Sequence, residues 1–255
     1  MKDKIELNSD AVLLRNRMGK DSSSFIDVFS IINQMEHTTL VLYPMPKNIS
    51  GMCIKIKSIE NLIAINSSLS YGRQRYSVAH ELYHVSFQKG FSYIVCAKEI
   101  GGTTKNEEEI NADMFASYFL APYEAFKLFI TEKLKKSNQN PFSINVVVKI
   151  EQNFQMSRQA TVYRLINEGY ITQAFAETLK NNVIQSAIKL GYDESLYVPT
   201  PKEKQYFTSG NYINLVEDVR QKGLISLGKY EELFLEAYRN DIVYGLSGGC
   251  EETYD

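Results

Sequence analysis

The run His80-Glu81-Leu82-Tyr83-His84 constrains this chain more than any other, because its chemistry requires it to be helical. On an α-helix, residues i and i+4 share a face one turn apart, so both imidazoles can reach one ion. Glu81 sits about 100° around the helix from His80, close enough to touch a water on that ion without ligating it. This suits zinc-assisted hydrolysis, where the metal acidifies a water and a carboxylate takes its proton. The flanks agree: no Pro or Gly falls between Arg73 and Lys89. Val78, Leu82 and Val85 form an apolar stripe at i, i+4 and i+7, with His80 and His84 on another face beside Ser77. The expected object is a buried helix with a cleft on its polar side. The plainer alternative is two surface histidines that happen to lie one turn apart.

A catalytic zinc takes three protein ligands and keeps one position open. The chain has three histidines, and the third, His37, lies well upstream in a different element. Glutamate is the alternative. In Glu109-Ile110-Asn111-Ala112-Asp113-Met114-Phe115-Ala116, Glu109 and Asp113 lie one turn apart on a second amphipathic helix ending near Leu120-Ala121-Pro122. Glu109 is the candidate third ligand. Asp113 is the candidate outer carboxylate, accepting a hydrogen bond from the far ring nitrogen of a ligand histidine and fixing its tautomer. Glu107 and Glu108 read as a solvated acidic first turn favoured by the helix dipole.

These residues resemble the ImmA/IrrE family of metallopeptidases (IrrE N-terminal-like domain). The run from Arg73 to Leu82 resembles the approach to that family's metal helix. Glu109-x-x-Ala112-Asp113-x-Phe115-Ala116, followed by Phe119-Leu120-x-Pro122, resembles its second motif. The likeness covers about residues 25–170. It implies that His80, His84 and Glu109 hold the metal and that Glu81 is the general base. It also implies a regulatory protease that cuts a transcriptional repressor, often one encoded beside it, in stress responses or toxin–antitoxin-like pairs. The chain departs from the pattern at Tyr83, where a small residue is usual, and at Gln88, where another histidine is common. Neither position is a ligand by spacing.

A net charge of −2 gives no general pull towards nucleic acid or an anionic membrane. The first residues, Met1 to Glu6, are charged and hold no apolar signal core, and no apolar run reaches membrane-spanning length. Cys53, Cys96 and Cys250 are scattered and odd in number, resembling neither a disulfide framework nor a zinc knuckle. A reducing cytoplasm is the expected setting.

The fold class expected is α+β: a zincin-like, gluzincin-type domain over residues 1–136, with a small three-stranded sheet and the HExxH helix. Residues 23–36 read as a helix with serines ahead as caps. Thr39–Tyr43, Met52–Lys57 and Leu62–Asn66 read as strands, and one of them is expected to be the edge that takes a peptide as an added strand. A loop around Gly90–Thr104 follows, then the Glu109 helix, then a helix from Pro122 to about Lys135. After a polar break at 137–141, residues 141–170 resemble a helix-turn-helix unit packed on the catalytic domain. Its second helix offers only Arg158, Gln159 and Arg164 to DNA, with Glu168 opposing, so packing is the preferred reading. Residues 171–255 read as a helical C-terminal region. Within it, 172–190 is one helical stretch, Val198-Pro199-Thr200-Pro201 a linker, and 210–239 two helices joined at Ile225-Ser226. The tail at 247–252 is Gly-rich and acidic.

The expected function is a zinc-dependent regulatory endopeptidase acting on a protein partner, a helix-turn-helix repressor. Mn2+ or another divalent ion also suits two histidines and a carboxylate. The alternative is a DNA-binding or antitoxin-like regulator whose metal site is vestigial or structural.

Overall fold

The computed structural model describes residues 1–56, 59–97, 99–100, 106–135 and 142–245. Two helices open the chain, α1 (Lys4–Arg17) and α2 (Val28–Gln34). Each is begun by an aspartate: Asp3 accepts from the Glu6 amide and Asp27 from that of Phe29. The three expected strands follow as β1 (Thr38–Tyr43), β2 (Ile49–Ile56) and β3 (Glu60–Asn66). Next come α3 (Tyr71–Ser86), β4 (Tyr93–Ala97), α4 (Glu107–Leu120), α5 (Tyr123–Lys135), α6 (Ile144–Phe154) and α7 (Arg158–Asn167). The C-terminal region supplies α8 (Gln173–Thr178), α9 (Val183–Ile188), β5 (Phe207–Gly210), α10 (Asn211–Gln221), α11 (Leu227–Glu236) and α12 (Asn240–Tyr244).

The sheet has five strands in the order β4-β2-β3-β1-β5. β1 and β3 run parallel, and the other pairings are antiparallel. The architecture is therefore α+β, but the expected three-stranded sheet is too small. None of the three strands read from sequence is an edge, because β4 covers β2 and β5 covers β1. β4 lies in what reads as a loop: its short run Tyr93-Ile94-Val95-Cys96-Ala97 buries only Cys96. β5, Phe207-Thr208-Ser209-Gly210, has no apolar alternation to announce it. It ends on Gly210 at φ +81°, where an added Cβ would lie 2.5 Å from the Thr38 carbonyl oxygen. Only glycine allows that approach.

α3 lies across β2 and β3, and α4 packs along its other side with α1 beyond. Leu82, Phe115 and Phe119 are wholly buried at this junction, each contributing roughly 1.5–3 kcal/mol by burial. That packing holds α3 even though Ser70 at its N-cap makes no side-chain capping bond. The helix is buried from Gly72 through Val85, in keeping with the expected buried helix, and its apolar stripe is only part of that burial. Two of its long polar side chains are met by backbone. Arg75 donates to the carbonyls of Gln155 and Ile26, and Gln74 to those of Ser67 and Leu69.

Other expectations change in detail. α1 carries Leu7, Ala11 and Leu14 inward at helical spacing, but the polar residues between them hide the pattern. α2 begins at Asp27, not at the serines; the Ser23 and Ser24 amides instead bond to Asp21. The stretch 172–190 is two short helices broken at Asn182, which has φ +53°. Val198–Pro201 is no free linker. The Tyr71 amide donates to the Val198 carbonyl at 2.8 Å, and Gln74 Nε2 to Thr200 Oγ1 at 3.0 Å, clamping the segment onto the start of α3. Ser226 does cap α11, accepting from the Lys229 amide. The polar break at 137–141 and the tail at 247–252, with Cys250, lie outside the described residues. Among the described residues, no helix is long and apolar enough to cross a membrane.

Candidate metal centre

One turn of α3 brings the two imidazoles together, with Nε2 of His80 and Nε2 of His84 3.1 Å apart. Each ring is set from its other nitrogen. His80 Nδ1 lies 3.0 Å from Asp113 Oδ1, and His84 Nδ1 lies 2.5 Å from Gln88 Oε1. Both oxygens accept, so the protons sit on Nδ1 and the two Nε2 lone pairs face each other. Lone pairs held this way repel unless a cation or a proton stands between them. Glu109, reaching in from α4, completes the arrangement, with its two oxygens 3.4 Å from His80 Nε2 and 3.3 Å from His84 Nε2. Asn106 fixes that first turn by accepting from the Glu109 amide at 2.9 Å.

The electrostatics call for positive charge here. Burial disfavours a charged His80, yet hydrogen bonds to Asp113 and Glu109 raise it to about 9. Burial likewise opposes ionisation of Glu109, but its bonds with His80 and His84 hold it well below the usual carboxylate range. The donor set, two neutral imidazole nitrogens and a carboxylate, is one that a divalent ion fits.

Glu81 points towards β2 and is wholly buried, its carboxylate meeting the thiols of Cys53 and Cys96 and, among the described residues, no N–H or O–H donor. A buried carboxylate met only by weakly donating thiols is costly, and such a group commonly marks a place where a ligand or ion belongs. Gly51 on β2 makes the room: a Cβ there would sit 3.0 Å from Glu81 Oε1 and 3.0 Å from the Ala64 carbonyl oxygen.

The structure adds a residue that sequence reading left aside. Cys96 on β4 is buried, and its sulfur joins ligand atoms of His80, His84 and Glu109 within 4.8 Å of one another. Burial, reinforced by the nearby Glu81 and Glu109 charges, pushes its thiol well above the ordinary range. Burial and Glu81 do the same to Cys53. Gln88 was also missed as a partner, although it stands at i+4 from His84 and the helical repeat could have signalled it. Tyr83 packs among His84, Phe87 and Phe115 and donates to Glu108 Oε2 at 2.8 Å. Glu108 is therefore not the purely solvated residue expected. His37 stays away from the centre and pairs with Glu60.

In the 141–170 segment, α6 and α7 meet at a turn through Gln155, with Ser157 capping α7. The basic residues of α7 face inward. Arg158 pairs with the buried Glu151 and donates to the Leu179 carbonyl, while Arg164 meets Ser117 and Glu168 and stacks on Tyr118. Gln159 alone of the three is exposed.

Residues 34–166 match the family model of the IrrE N-terminal-like domain, a peptidase family, over more than half of the 255 residues. The chain belongs to this family. A search of curated proteins finds no match.

Proposed function

We propose that this chain is a zincin-like, gluzincin-type endopeptidase in which His80, His84 and Glu109 hold a zinc ion and Glu81 is the general base. The observation that carries the reading is the convergence of two Nε2 atoms and a carboxylate beside the buried Glu81. A bound divalent ion supplies Lewis acidity that makes water a nucleophile near neutral pH. Glu81 takes the proton of the attacking water on a carboxylate oxygen and passes it to the leaving amine. Asp113 and Gln88 keep the imidazole protons on Nδ1 throughout.

The outer edge of β4 suits a peptide added as an antiparallel strand, since this is the sheet edge that carries Cys96 to the cluster. The substrate we propose is a helix-turn-helix transcriptional repressor. A cytoplasmic setting accords with Cys53 and Cys96 being free thiols.

The test is Glu81→Gln, with cleavage of a helix-turn-helix repressor encoded beside the protein as the assay. Turnover should fall by about 10²–10⁴-fold while metal content stays unchanged. A variant as active as the wild type would remove Glu81 from the mechanism.

A further inference from the structure

We propose that Cys96 is a fourth protein ligand of this centre and holds it closed. The proposal rests on the metal-site reading above and adds to it a residue that the HExxH and Glu109 motifs do not contain.

The placement of Cys96 is specific. The β2–β4 register shifts between Ile49 and Gly51, opposite Ala97 and Cys96. Ser50, at that irregularity, donates to the carbonyls of Cys96 at 3.2 Å and Ala97 at 3.0 Å. Such a bulge re-aims side chains. Here Cys96 alone of β4 is buried, while Tyr93, Val95 and Ala97 are exposed. Gly51, directly opposite Cys96, leaves the space that the Glu81 carboxylate enters.

The geometry fits coordination. Tetrahedral zinc with bonds of about 2.0–2.3 Å keeps its ligands within about 4 Å of one another. The sulfur, the two imidazoles and Glu109 already lie within 4.8 Å, so small side-chain movements close the shell. A second observation points the same way. The fully buried Glu81 carboxylate interacts with this sulfur, where an apolar core cysteine would ordinarily have apolar neighbours.

As a ligand, Cys96 would give up its thiol proton, as metal binding to cysteine requires. The fourth position is then taken by sulfur, so no attacking water is held there. Withdrawal of Cys96 opens that position. A thiolate in the shell also favours zinc over manganese.

Cobalt(II) titration of the full-length wild type and of Cys96→Ser tests this, with X-ray absorption on the zinc-loaded wild type alongside. The wild type should bind one cobalt with a thiolate-to-cobalt charge-transfer band, and show zinc–sulfur scattering at about 2.3 Å. Cys96→Ser should still bind one cobalt without the band. Its affinity should fall by at least the about 10- to 100-fold that loss of an outer partner costs. Acetohydroxamate should shift the visible cobalt spectrum of the variant and leave that of the wild type unchanged. One bound cobalt with no charge-transfer band and no sulfur scattering would overturn the role of Cys96 and leave the His80, His84 and Glu109 site standing. A wild type that responds to acetohydroxamate as the variant does would overturn the closure. No cobalt in the wild type would remove the metal site itself, and this proposal with it.

Discussion

Asp113 and Gln88 act on different histidines in the same way: each faces an Nδ1 and leaves the opposite nitrogen facing the cluster. Asp113 is legible in the sequence because it stands one turn from Glu109 on a helix whose pattern is clear. Gln88 stands equally one turn from His84, but its residue type looks like a departure from a pattern when it is a working partner. Cys96 and Gly51 had no such signal. A single cysteine has no spacing partner along the chain, and the need for glycine at 51 arises from the approach of Glu81, thirty residues on in sequence. At this scale the outer partner is the sharpest test. Asp113→Ala should lower metal affinity about 10- to 100-fold, measured by competition with a chelator. An unchanged affinity would show that His80 is oriented by something else.

Helices whose faces differ strongly are readable one at a time, and α6 and α11 fall close to where the pattern puts them. Strands are less so, because a strand is completed by its neighbour. β5 pairs with β1 across a long stretch of sequence, and nothing within Phe207–Gly210 announces that partner. The same limit applies to α7: its arginines are buried, as the preferred packing reading expects, but their partners come from other elements. Arg158 meets Glu151, Leu179 and Ser186 there, so its loss strands a buried carboxylate. Arg158→Ala should cost about 3–5 kcal/mol, read from urea unfolding. A change below 1 kcal/mol, roughly the range of surface substitutions, would mean the pair carries little of the junction between α6 and α7.

Across the molecule, the C-terminal region is tied to the sheet and the metal helix at two places. β5 extends the sheet beside β1, and Val198–Pro201 grips the start of α3. A chain ending at residue 190 should therefore melt at a lower temperature than the full-length protein, by calorimetry, because β1 becomes an open edge and α3 loses its clamp. Equal melting temperatures would show that these ties add nothing to stability. The whole account depends on a metal ion at the cluster where α3, α4 and β4 meet. Elemental analysis of protein purified without added metal, with His84→Ala alongside, addresses this directly. About one zinc per chain, lost in the variant, is the expected result. No metal in either protein, even after reconstitution with zinc, would contradict it.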